Sequence, residues 1–300
     1  MTVRTRNRLI TFSILAGPFV FLLCLLLFWD AEPLPPVPAL PNPNGYEELV
    51  KAGNMVSNDF DNYDELSSAT LRELIKKNAE AFQTARTGLQ GECRVPLDYS
   101  ATSSAHLDQL AALKRLAFGF IAEGRLAEKE NRASNAAQFY LDTINLGNKS
   151  ARGGVLIDQL VGTALEAIGV ANLQKLVDDL DAKTCRETAA TLETLDSQRQ
   201  TWDEVMQQER DWSRRTFPGI CNELARLMSR KTLNKAYQMA EQKFNEQRIK
   251  TRQLILEFAA RAYQLDKGHP PANLTDLVPD YLKAIPQDPL TGTNIVYTPR

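Results

Sequence analysis

Two stretches of this 300-residue chain bring ionisable side chains close enough together to do chemistry. In Ala122-Glu-Gly-Arg-Leu-Ala-Glu, the residues Glu123, Arg125 and Glu128, with Glu130 just beyond, are spread around one helix beside Gly124. Downstream, Arg152 stands before Gly153-Gly154, and Asp158 and Glu166 are acids in an otherwise apolar run. A carboxylate among apolar groups holds its proton more tightly, and one beside a guanidinium releases it more easily. Such pairs are the material of a general acid–base site or a polar ligand pocket. The same side chains also serve a plainer purpose, as buried pairs joining helices, for instance Arg125–Asp158 or Arg152–Glu128. Glu123, Arg125, Glu128, Arg152 and Asp158 are therefore a candidate polar cluster, read first as structural and second as catalytic or ligand-binding.

Other chemistry is sparse. His106 precedes a leucine-rich helix and His269 sits in a turn beside Pro270. Neither lies in an HExxH pattern or at metal-ligand spacing from cysteine, so no metal site is expected. GxSxG, Walker and GxGxxG patterns are missing; no catalytic residue is assigned and no cofactor is called for. The formal net charge is -2, with basic and acidic residues interleaved, which argues against nucleic acid as a partner. Of four cysteines, Cys24 lies in an apolar segment, leaving Cys93, Cys185 and Cys221. Three allow at most one disulfide within the chain; which pair would form it stays open, and three reduced core thiols are the alternative.

The elements that must position these groups are helical almost throughout. A short helix begins at Tyr46 and ends near Asn58. A second runs from about Ser68 to Thr87, with Thr70 and Glu73 spaced as a capping box and Gly88 past its end. Leu107, Leu110, Leu113, Ala117, Phe120 and Gly124 recur at three- and four-residue intervals as one buried stripe. After Asn131 another helix carries Ala136, Tyr140 and Ile144 and stops at Gly147. The run 155–180 is apolar on most sides and belongs in the core. A more polar helix spans 183–216, a further one 221–228, and a long one about 232–265.

Ahead of this bundle lies an anchor. From Leu9 to Trp29 there is no charged residue, and the run makes roughly 30 Å of helix, one hydrocarbon core. Arg4, Arg6 and Arg8 before it, and Asp30 and Glu32 after it, keep residues 1–8 cytoplasmic and send the rest across. Whether the segment is cleaved is open. Residues 30–44 hold Pro33, Pro35, Pro36, Pro38, Pro41 and Pro43, an extended semi-rigid stalk.

Residues 107–147 loosely resemble a tetratricopeptide-type helical hairpin, with Gly124 as the small residue of the first helix, Ala136 opening the second and Tyr140 in the aromatic position. The tail resembles the C-terminal part of type II secretion pseudopilins. Its signature here is Tyr263, Asp266, Gly268 and Pro271, then Leu274 and Leu277, then Pro286, Asp288, Pro289, Gly292 and Tyr297. The pseudopilin leader motif Phe-Thr-Leu-x-Glu has no counterpart, and the metal-binding loop would lie beyond Tyr297, so neither calcium ligands nor filament assembly is expected. The resemblance implies that Gly268 ends the long helix, that Leu274, Leu277, Tyr281 and Leu282 fold back on it, and that Ile295, Val296 and Tyr297 form a short strand. Cys93-Arg-Val-Pro, Ala122-Glu-Gly-Arg-Leu-Ala-Glu and the stretch 151–162 resemble an uncharacterised family of membrane-anchored exported bacterial proteins.

The expectation is a mostly α protein: residues 9–29 as a transmembrane helix in the lipid bilayer, 30–44 as linker, 45–262 as a helical-bundle ectodomain, and 263–300 as a pseudopilin-like tail. It sits in the bacterial inner membrane with the bundle outside the cytoplasm, and works by protein–protein interaction or scaffolding with an envelope partner. The alternatives are an envelope enzyme with a polar site around Glu123, Arg125 and Asp158, or an accessory component of a secretion or pilus-like system.

Overall fold

The structure is a computed structural model and describes residues 34–60, 62–100 and 104–295, with the side chains at 58, 220–227 and 229–231 not included. The expected transmembrane segment 9–29 lies outside the described residues. From 34 to 44 the chain has no regular secondary structure. Arg215 donates to the Pro35 carbonyl, which lays the linker against the bundle.

Among the described residues there are nine α-helices and no β-strand. They are α1 Gly45–Met55, α2 Ser68–Lys77, α3 Ala79–Gln90, α4 Ala105–Lys129, α5 Ala133–Ala151, α6 Leu156–Leu173, α7 Ala182–Ser197, α8 Trp202–Thr216 and α9 Ile220–Lys267. The helical reading of residues 45–262 stands; several boundaries do not. The single helix expected over 68–87 is two, because the Asn78 amide bonds the Leu74 carbonyl (2.8 Å) while its oxygen accepts from Ser57 N–H (3.1 Å). Its N-cap is Ser67, whose hydroxyl accepts from Thr70 N–H, so Thr70 is inside the first turn and the expected Thr70–Glu73 box is corrected. The expected helix 183–216 also divides: Thr201 and Glu204 form a reciprocal cap that starts α8. Conversely, 221–228 and 232–265 are one helix of 48 residues, about 72 Å long. It ends where Gly268 takes a left-handed φ of +79°, as expected.

Two apolar cores result. One gathers α1 to α4 around Phe60, Phe82 and Phe120, with Cys93 in its wall. The other joins α5, α6, α7 and the C-terminal half of α9 around Tyr140, Leu192 and Phe258, with Cys185 inside it. α4 and α5 fold back on each other through a turn at Asn131, and the Tyr140 ring covers Gly124 so closely that a Cβ there would lie 2.2 Å from it. α5 and α6 meet at Gly147 and Gly162, where a Cβ on either would fall 2.5 Å from the other's carbonyl oxygen. Leu156–Leu176 is the one stretch among the described residues long and apolar enough to cross a membrane, and half of it is buried inside the bundle.

The tail returns onto α9. Leu277, Leu282 and Ile295 are buried in the second core, and Tyr281 stacks near Tyr263 (5.4 Å) while donating to Asp266 (3.0 Å). Pro286 to Gly292 turns as expected, closed by Asp288 accepting from Leu290 and Thr291. The described residues hold a single antiparallel bridge, Gln287 to Asn294; of the expected strand, Val296 and Tyr297 lie outside them.

Candidate functional site

Glu123 and Arg125 are two positions apart on α4, roughly 200° around the helix, so they serve opposite faces. Glu123 faces α3. Its Oε2 lies 2.6 Å from Arg86 Nη2, and Arg86 Nε reaches Asp142 on α5 at 2.9 Å. The guanidinium lies between the Phe120 and Phe139 rings, 5.2 Å from each centroid. Burial pushes the Glu123 carboxyl up to about 7 against the pull of Arg86, and Asp142 adds to the rise. Burial raises Asp142 as well. Burial opposes the charge on Arg86, yet its two carboxylates hold the proton more tightly overall.

Arg125 faces the 62–66 segment. It pairs with Asp64 (3.0 Å) and Glu128 (2.9 Å), and Glu128 also accepts from the Tyr140 hydroxyl. Arg152 follows α5, and its carbonyl accepts from Val95 N–H (2.9 Å). The expected pairs Arg125–Asp158 and Arg152–Glu128 are therefore corrected. Asp158 lies at the first turn of α6, against the first turn of α4, whereas Arg125 is near the far end of α4, about 28 Å along its axis. The five candidate residues do not converge on one site.

Asp158 instead faces His106, with Oδ1 2.9 Å from Nε2, while its Oδ2 accepts from Val155 N–H (2.8 Å). The adjacent Leu156 N–H donates to Glu209 of α8 (2.8 Å), so two carboxylates sit on the amino end of α6, where the helix dipole favours them. Asp158 raises the His106 pKa, with burial opposing and Gln109 and Asp98 assisting. Burial, with help from Asp158, raises both Tyr46 and Glu209. Nothing in the sequence spacing brings His106 to Asp158, which lie 52 positions apart.

A second polar set, of which sequence reading found only Glu166, lies between α5, α6 and α9. Glu166 pairs with Arg199 and accepts from the Thr251 hydroxyl (2.7 Å). Asp196 receives Arg248 (3.1 Å) and Arg252 (2.7 Å). Its partners come from three distant segments, which no local spacing reveals.

A surface depression of ligand dimensions lies on α3. It is a solvent-open groove of about 410 Å³, formed by one face of α3 (Ala79, Phe82, Gln83, Arg86, Thr87, Gln90) with Ile75 of α2, and Glu123 at its base. No group of three or more His, Cys, Asp or Glu able to hold a metal ion occurs among the described residues. Cys93 and Cys185 are free, buried and in different cores; the Cys221 side chain is not among those described. Burial raises both thiols, Cys185 to about 11, which keeps them protonated and inert. Comparison with family models, with curated proteins and with solved structures finds no match to this chain.

Proposed function

We propose that this is a membrane-anchored cell-envelope protein that binds another exported protein through the α3 groove. The observation that carries the reading is the groove's composition. Apolar Ile75, Ala79 and Phe82 lie beside Glu123 and Arg86, and Arg86 reaches beyond the groove lining to Asp142. A carboxylate beside apolar side chains suits a basic side chain flanked by apolar ones, as a protein segment presents. The anchor 9–29 and the stalk 30–44 would hold this groove outside the cytoplasm, within reach of partners along the membrane.

The test is photocrosslinking in cells, from a photoreactive residue at exposed Gln83 on the groove rim and, as control, at exposed Ala190 on α7. A discrete adduct from position 83 alone, mapping to a partner segment with Lys or Arg among apolar residues, is the expected result. Identical patterns from both positions would remove the groove from consideration.

A second reading is favoured by Glu123 itself. A carboxyl near 7 at the base of an open groove is tuned for proton transfer at neutral pH. On this reading the protein is an envelope enzyme with Glu123 as its general acid–base group. Small-molecule binding to the full chain that Glu123→Gln abolishes, with no protein adduct from position 83, would favour it.

A further inference from the structure

The polar layer between α5, α6, α9 and the α7–α8 connection is electrically unbalanced. Among the described residues it sets three guanidiniums, Arg199, Arg248 and Arg252, against two carboxylates, Glu166 and Asp196. The layer as a whole carries one positive charge in excess: Arg248 and Arg252 share Asp196, while Arg199, whose side chain is 5% exposed, has Glu166 as its own partner. Its Nη2 meets Glu166 and its Nε donates to Asn148 (3.1 Å), but its buried Nη1 has no hydrogen-bond partner among the described residues. Arg199 lines a small, partly open cavity of about 20 Å³, with Asn148, Arg152, Gln159, Thr163, Gln200 and its own partner Glu166 around it.

Size and charge together select the occupant. About 10–15 Å³ already holds one water, so this cavity takes a single small sphere and excludes phosphate, sulfate or a carboxylate. A water would satisfy the N–H and leave the extra charge; a monatomic anion does both. We propose that this cavity is a binding site for one halide-class anion, chloride being the common one, held on Arg199 Nη1 and offsetting the excess positive charge of the layer. Burial, then Arg248 and Arg252, pull the Arg199 pKa down to about 9, a direction that an adjoining anion reverses.

The test uses the full chain in detergent micelles, with thermal unfolding followed in sodium chloride, bromide or gluconate at one ionic strength. The midpoint should rise saturably with chloride and bromide, and not with gluconate, which is too large for the cavity. Arg252→Gln removes one positive charge without touching the cavity wall and should weaken the halide response on the order of tenfold. Crystals soaked in bromide should show anomalous density within hydrogen-bond reach of Arg199 Nη1. Equal midpoints in the three salts, an equal halide response in wild type and Arg252→Gln, or a water without anomalous signal at that place would overturn the proposal. If Arg252→Gln does not fold, Arg248→Gln makes the same comparison.

Discussion

His106 and Asp158 face each other at 2.9 Å and join the first turn of α4 to the first turn of α6. The Asp158 carboxylate beside the ring favours the charged imidazolium over the opposing effect of burial, so the folded-state pKa of His106 lies above its usual 6.5. The pair's contribution to stability is then fully present below about 6.5 and lost as pH rises through the folded value. The chain has two histidines, so their NMR titrations can be told apart. His106 should titrate above 6.5, and Asp158→Asn should bring it down; a His106 midpoint indifferent to that substitution would contradict the pairing.

Glu123 gives a pH dependence in a different window. Its carboxyl rises from 4.5 to about 7 on folding, so the folded chain binds the proton more tightly. Stability from this group is therefore complete below about 4.5 and lost as pH climbs through 7, with a limiting slope of about 1.4 kcal/mol per pH unit. Urea unfolding between pH 4.5 and 7.5 should show that decline in the wild type and a flatter curve in Glu123→Gln.

The crossing of α5 and α6 depends on two missing side chains. A Cβ at Gly162 would stand 2.5 Å from the Gly147 carbonyl oxygen, which a helix backbone cannot yield without moving the helix. Gly162→Ala should cost about 1–3 kcal/mol by overpacking. Gly91→Ala is the control, since its Cβ would meet nothing closer than 3.5 Å; its denaturation curve should barely move.

The tail belongs to the fold. Leu277 is fully buried in the second core, and Lys283 N–H donates to Glu193 of α7 at 3.1 Å. Leu277→Ala should cost about 2–5 kcal/mol. Removing residues 263–300 should lower the thermal midpoint by more; a truncated chain as stable as the whole would show the tail to be an appendage kept for docking.

How much of this was legible in the sequence follows from how local each signal is. Periodicity located the helices, and Gly268 announced the end of α9, because both depend on neighbours along the chain. The break before α8 was also legible, in Thr201 and Glu204 at cap spacing, but the apolar stripe through Trp202 and Trp212 suggested continuity. The break at Asn78 was not, since its partner Ser57 is remote in sequence. Of the candidate cluster, Glu123 was read as one of several ionisable groups around its helix and Asp158 as an acid in an apolar run; both are buried. Their partners Arg86 and His106 come from other helices, and the register that brings them together is set by three-dimensional packing.

The central claim is that the α3 groove binds a basic, apolar-flanked segment through Glu123. Its most direct measurement is the yield of the photocrosslink from position 83 in cells carrying wild type or Glu123→Gln at equal abundance. The groove reading predicts a discrete adduct in the wild type that falls sharply in Glu123→Gln. An adduct of unchanged yield in Glu123→Gln, or one formed equally from Ala190, would contradict it.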